Sequence, residues 1–281
     1  MKTAEIVTTI TDLRARVTCW RVPGERIGLV PTMGALHEGH LSLVRETRRR
    51  CARTLVSIFV NPAQFAPHED FDRYPRTLES DAEKLSKAGI DLIFAPTVAE
   101  MYPEGFATRI EVGGPSAGLE SDFRPHFFAG VATVVNKLLV AAMPDYAIFG
   151  EKDYQQLLVI RRMVADLGLP IEIAGGAIIR EADGLAMSSR NAYLNPDQRK
   201  VAGQINRVLH DVNRKLRYSN GVRQAEEYAR AELLKAGFDS VDYVAIRDAA
   251  TLAPIEFIDG AARILAAVRI GGIRLIDNMA V

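Results

Sequence analysis

Net charge is what this sequence most plainly lacks: 35 Lys and Arg stand against 35 Asp and Glu, a formal charge of zero. With no net basic field, attraction to nucleic acid or to an anionic membrane surface is not expected. The one basic run, Arg48-Arg49-Arg50, reads as a solvated helix face. Cysteine is scarce too. Cys19 and Cys51 lie far apart without metal-ligand spacing, so they read as free thiols of a reducing compartment. No run of ~18 apolar residues occurs, and MKTAEIVTTITDL at the N-terminus has no apolar core of signal-peptide length. A soluble, cytoplasmic chain is therefore expected. The usual phosphate loops are also missing, since there is neither a Walker A sequence nor a G-x-G-x-x-G. No internal repeat or low-complexity segment appears.

What is present is ordinary globular sequence, 48% hydrophobic and 25% charged over 281 residues, long enough for two domains. IGLVPT (27–32), TLVSIFV (54–60), DLIFAP (91–96) and YAIFG (146–150) are short, apolar and rich in β-branched or aromatic residues, as buried strands are. Between and after them lie helical patterns at 40–51, 76–89, 130–143 and 154–168, the last with an apolar stripe of Leu157, Leu158, Ile160 and Val164. Alternating strands and helices imply parallel pairing through right-handed crossovers, hence an α/β doubly wound sheet over 1–178. The pattern then changes. Two helices near 197–217 and 222–236, followed by strands at 240–248 and 262–278 with a Gly-Gly turn, predict a smaller α+β domain over 179–281.

In an open α/β sheet, ligands bind beyond the carboxyl ends of the strands. Polar clusters stand at three of those ends. The first strand runs into MGALHEGH (33–40) and a helix, whose start offers free N–H groups to phosphates. His37 and His40, three residues apart, can face one cleft there, and the helix N-terminus disfavours the imidazolium form. A surface pair and a zinc pair remain as competing readings, the latter without a third ligand at recognisable spacing. The second strand ends in VNPAQF (60–65), where the amides of Asn61 and Gln64 suit a hydroxy acid, or serve only the turn. At GEKDYQQ (150–156), Lys152 and Gln156 share a helix face, and Asp153 can cap backbone N–H groups or hold a ribose hydroxyl; an exposed charged helix start is the plainer alternative. A fourth cluster, GLAMSSRN (184–191), puts Ser188, Ser189 and Arg190 together as an anion grip at the domain junction, or forms a polar linker.

Taken in order, PTMGALHEGHLSLV, VSIFVNPAQF, YPRT, FGEKDYQQL, READGLAMSSRN and the closing RLIDN resemble the pantoate–β-alanine ligase family over essentially the whole chain. The H-x-G-H element is shared with a wider adenylyl-transfer superfamily; GEKDYQQ followed by DGLAMSSRN is far more specific. The resemblance implies a Rossmann-like N-terminal domain, a smaller C-terminal lid, a homodimer, and the use of Mg²⁺ and ATP with pantoate and β-alanine as small-molecule substrates. Position by position it implies ATP binding by Met33, Gly34, Ala35, Leu36, His37, Glu38, Gly39 and His40, with His40 a proton donor. Gly150, Glu151, Lys152, Asp153, Ile179, Met187, Ser188, Ser189 and Arg190 complete that ATP site, and His37, Lys152 and Arg190 join His40 in the chemistry. Gln64, Gln156 and Asn61 fall to substrate. Two other functions stay open: a nucleotidyltransferase on the same scaffold, and a binding protein without catalysis.

One position departs from the family pattern R-P-x-H-F. Here Arg124-Pro125-His126-Phe127-Phe128 puts Phe where the family has His. Neighbouring side chains on a helix diverge by roughly 100°, so His126 is not expected to reach the space of the family histidine.

Overall fold

A computed structural model describes residues 4–22, 24–65, 71–218 and 221–281. Its larger sheet is built from β1 (Glu5–Val7), β2 (Ile27–Thr32), β3 (Arg53–Ile58), β4 (Leu92–Phe94), β5 (Tyr146–Gly150) and β6 (Glu172–Gly176). All pairings are parallel, in the order β1-β4-β3-β2-β5-β6. The four expected strands form its centre. The two edges, β1 and β6, were not expected.

Helices cover both faces, which is why the central strands read as unbroken apolar runs. On one face α2 (Glu38–Arg50) and α3 (Leu78–Ala88) pack over Val30, Val56, Ile93 and Ile148. On the other, α1 (Ile10–Arg21), α6 (Phe127–Ala142) and α7 (Tyr154–Asp166) pack over Leu29, Leu55, Phe94 and Phe149. Two one-turn helices, α4 (Val98–Met101) and α5 (Glu120–Phe123), lie in the long connection before α6.

The chain beyond β6 builds a second core around an antiparallel sheet of β7 (Ser240–Asp248), β8 (Ala262–Ile270) and β9 (Ile273–Ala280). One helix was expected near 197–217; it is two, α8 (Pro196–Ala202) and α9 (Gln204–Leu216), broken at Gly203. Helix α10 (Val222–Ala236) follows and ends on Gly237 in the left-handed conformation. No helix among the described residues is long and apolar enough to cross a membrane.

Candidate active site

The strand order reverses between β2 and β5, which lie side by side although far apart in sequence. That switch point opens a crevice at the carboxyl ends. A cavity of about 800 Å³ occupies it, lined from the ends of β2, β3 and β5, from the 185–191 segment, and from β9.

His37 is the N-cap residue of α2, extended at φ −127°. Its Nδ1 accepts the Gly39 N–H at 3.2 Å, while the His37 N–H donates to Nδ1 of His40 at 3.3 Å. The two rings lie 4.1 Å apart, tilted by 37°. A Cβ on residue 39 would come within 2.9 Å of the His37 ring, so glycine there lets the ring fold back over the helix start. Because each Nδ1 accepts a hydrogen bond, the proton of each neutral imidazole sits on Nε2. Both stay neutral well below pH 7. Burial and the nearby Lys152 push His37 from 6.5 down to about 4; burial, His37 and Lys152 push His40 to about 3. The cavity therefore holds two uncharged N–H donors at a helix N-terminus, an arrangement that suits an oxyanion.

The preceding loop is held by a residue the sequence did not single out. Ala35 sits at φ 50°, an uncommon conformation for a residue with a Cβ. Asp81 of α3, fully buried, accepts the N–H groups of Ala35 and Leu36 at 2.8 and 2.9 Å and the Thr77 hydroxyl at 2.9 Å. Lys84 donates to the Leu36 carbonyl at 2.9 Å. In the sequence Asp81 looks like any acidic residue of a charged helix; only its partners 46 residues away reveal it.

On the opposite wall, a short turn after β3 places Gln64, whose Nε2 reaches the Met33 sulfur at 2.8 Å. Asn61 is almost fully buried and its amide is used internally. Nδ2 donates to the Gln64 Oε1 (3.2 Å) and the Gly130 carbonyl (3.1 Å), and Oδ1 accepts from Tyr102 (2.7 Å) and Ala63 (3.2 Å). A Cβ on residue 130 would stand 2.3 Å from the Ala63 carbonyl oxygen, so glycine in α6 permits this turn to lie against the helix. Arg124 donates to the Gln64 carbonyl at 2.9 Å and to Glu120 at 3.0 Å, with its guanidinium 3.9 Å from the Phe127 ring. Val131, Val134 and Leu138 supply apolar surface below. Gln155 and Gln156 both line the cavity, but the side-chain amide of Gln155 is spent on Pro115, Gly118 and Glu120.

Lys152 and Asp153 line the cavity from the turn between β5 and α7. Facing them is a hairpin in which the Met187 N–H donates to the Ile179 carbonyl at 2.9 Å. It presents Met187, Ser188, Ser189 and Arg190 to the cavity, and Ser189 bonds Tyr74 at 3.1 Å. Among the described residues, no group of three His, Cys, Asp or Glu is placed to hold a metal ion.

A sequence model described as pantoate–β-alanine ligase matches residues 5–280. The chain belongs to the pantoate–β-alanine ligase family. It is 56% identical to the pantothenate synthetase of Mesorhizobium japonicum, over 99% of this chain and 98% of that protein. It is likewise 56% identical to the pantothenate synthetase of Paramagnetospirillum magneticum, over 100% and 99%. The crystal structure of pantothenate synthetase from Thermus thermophilus superposes with a TM-score of 0.91 at 49% identity, covering 98% of each chain. That of the Francisella tularensis ligase, complexed with β,γ ATP and β-alanine, gives 0.83 at 32% identity, covering 98% of this chain and 97% of that one.

The family positions do not all reach the cavity. Met33, His37, Gly39, His40, Asn61, Gln64, Gly150, Lys152, Asp153, Gln156, Ile179 and the 187–190 segment line it. Gly34, Ala35, Leu36, Glu38 and Glu151 do not. Leu36 is buried in the core under α2, Glu38 pairs outward with Arg45, and Glu151 pairs with Arg263 at 3.1 Å. The Phe127 departure resolves as the helix geometry requires. Phe127 faces the cavity, whereas His126 lines a separate pocket of about 260 Å³ with Tyr102, Phe106 and Thr133.

Proposed function

We propose that this chain joins pantoate to β-alanine in two steps at the cavity between β2 and β5, using ATP. Oxygen of the pantoate carboxylate attacks the α-phosphorus, the α–β phosphoanhydride bond breaks, and pyrophosphate leaves. The ammonium of β-alanine first gives one proton to solvent; its free amine then attacks the acyl carbon, the acyl–oxygen bond breaks, AMP leaves, and the second nitrogen proton is lost to solvent as the amide forms. The observation that carries this reading is the division of one cavity into two chemistries. Neutral Nε2–H donors, Lys152, Ser188, Ser189 and Arg190 make an anion-binding side, while Gln64 and Gln156 with valines make a side for a branched hydroxy acid.

The residues present need form no covalent bond to substrate; they position and neutralise. His37 and His40, both neutral, donate Nε2–H hydrogen bonds to phosphate oxygens, so His40 acts as a hydrogen-bond donor rather than by giving up a proton. Lys152 and Arg190 take the charge that develops as pyrophosphate departs, and Asp153 holds the ribose. Asn61 acts on substrate through Gln64, because its own amide is fully engaged. Mg²⁺ would enter with ATP, held through the phosphates and water with one or two carboxylates at most, and would neutralise phosphate charge there; the described residues form no group of three His, Cys, Asp or Glu placed to hold it by themselves. The division near residue 178, with 179–281 closing as a lid, belongs to the same proposal, as do a homodimer and a cytoplasmic location.

Incubation with ATP, pantoate and β-alanine tests the reading by product mass. Pantothenate, AMP and pyrophosphate in equal amounts are expected. ADP as the nucleotide product overturns the adenylate route, and AMP attached to a phosphorylated acceptor points to a nucleotidyltransferase.

A further inference from the structure

The end of β9 reaches across to the anion-binding side of the cavity with two adjacent buried residues, each exposed by 2%. Asn278 donates both amide hydrogens to backbone carbonyls of the turn that carries the lysine: to Glu151 at 2.9 Å and to Lys152 at 2.8 Å. Its Oδ1 accepts Nε of Arg263 at 2.7 Å, and Arg263 in turn holds the Glu151 carboxylate at 3.1 Å and lies 3.7 Å from the Tyr154 ring centre. Next to it, Asp277 takes Arg180 in a two-pronged pair at 2.7 and 3.0 Å. Arg180 bridges to Ala186 at the base of the hairpin that presents residues 187–190. One strand end thus ties down both halves of the anion grip.

The chemistry of this contact is particular to asparagine. Two carbonyl oxygens and one guanidinium N–H converge on a single side chain, and a primary amide supplies two donors and an acceptor at that length. A carboxylate in its place would oppose two carbonyl oxygens. A hydroxyl could satisfy only one of them, and alanine would leave three buried groups without partners. Lys152 is on a long flexible stem, so the position of its backbone sets the volume its ammonium can sample, and misplacement by about 1 Å can cost on the order of 10²-fold in rate.

We infer that Asn278 is a positioning residue for Lys152: by fixing the carbonyls of residues 151 and 152 from the antiparallel-sheet side, it places the ammonium against the triphosphate. The inference rests on the reading that Lys152 meets the phosphates of ATP.

A double-mutant cycle separates positioning from general weakening. Asn278→Asp, close to isosteric, is expected to lower kcat/KM for ATP by about 30-fold or more. The KM for pantoate should stay within about threefold, because Gln64 is held by Asn61, Met33 and Arg124 and not by β9. In the Lys152→Ala background the same substitution should cost less than about threefold, the lysine being already absent. Asn278→Ser keeps one donor and no charge, should lose less than Asn278→Asp, and serves in the cycle if the aspartate variant does not fold. Equal losses in both backgrounds, or none in the parent, overturn the inference. A large loss for Lys152→Ala with none for Asn278→Asp or Asn278→Ser overturns only the positioning. No loss for Lys152→Ala removes the phosphate role of the lysine, and the positioning with it.

Discussion

The backbone N–H of His37 donates to Nδ1 of His40 at 3.3 Å, so the ring of His40 is oriented by the residue that caps its own helix. With His37 bonded in the same sense by Gly39, the tautomers of both rings are set by backbone before any ligand arrives. The pattern H-x-G-H thus reads physically as two Nε2–H donors aimed by a helix start, with the glycine making room for the first ring.

The depressed histidines give a pH prediction for the free protein. Each binds its proton at about 6.5 when unfolded but only near 4 (His37) or 3 (His40) when folded. Below 6.5 the unfolded chain therefore holds more protons, and stability falls as pH falls. His40→Gln removes one such site, so thermal melts between pH 6.5 and 4 should show a shallower decline in Tm than the parent. An equal decline would mean that His40 is not held neutral by its surroundings.

The two glutamine-side amides should both serve pantoate rather than ATP, and should differ in their effect on stability. Gln156→Ala is expected to raise the KM for pantoate by about tenfold or more, the scale of losing a substrate hydrogen bond, with ATP affinity nearly unchanged. Asn61→Ala should show the same substrate selectivity and also lose Tm, since it strips a buried network around Gln64 and Tyr102. Steady-state kinetics with each substrate varied in turn, beside melting curves, check both. Equal weakening of ATP and pantoate by Gln156→Ala would show that it serves the nucleotide.

How much of this was legible in the sequence depends on how locally each feature is encoded. The central strands were readable because burial on both faces makes them continuous apolar runs. The edges were not, because β1 has only three residues and β6 ends in two glycines, neither with a pattern of its own. The segments that line the cavity were legible because each is a contiguous polar cluster, three of them where a strand ends and the fourth, at 185–191, in the polar stretch between the two sheets. Asp81, Arg263 and Asn278 were not, since their work is done through partners 46, 112 and 126 residues away. Asn61 could be read either as a substrate amide or as turn chemistry, because an amide at a strand tip suits both; two of its four internal hydrogen bonds are made with Tyr102 and Gly130, which the sequence does not place beside it.

His126 faces the smaller pocket beside Tyr102 and Thr133, away from the reacting groups. His126→Ala should therefore keep kcat/KM within about threefold of the parent, or ~0.65 kcal/mol. A hundredfold loss in a folded variant would assign this histidine a part in the reaction despite its orientation.

The most direct test of the central claim follows the oxygen that bridges acid and nucleotide. Pantoate carrying ¹⁸O in both carboxylate positions is incubated with ATP, β-alanine and the enzyme, and the products are weighed by mass spectrometry. Attack at the α-phosphorus predicts one labelled oxygen in AMP and one retained in pantothenate. Unlabelled AMP, with both labels elsewhere, would contradict an acyl-adenylate formed in this cavity.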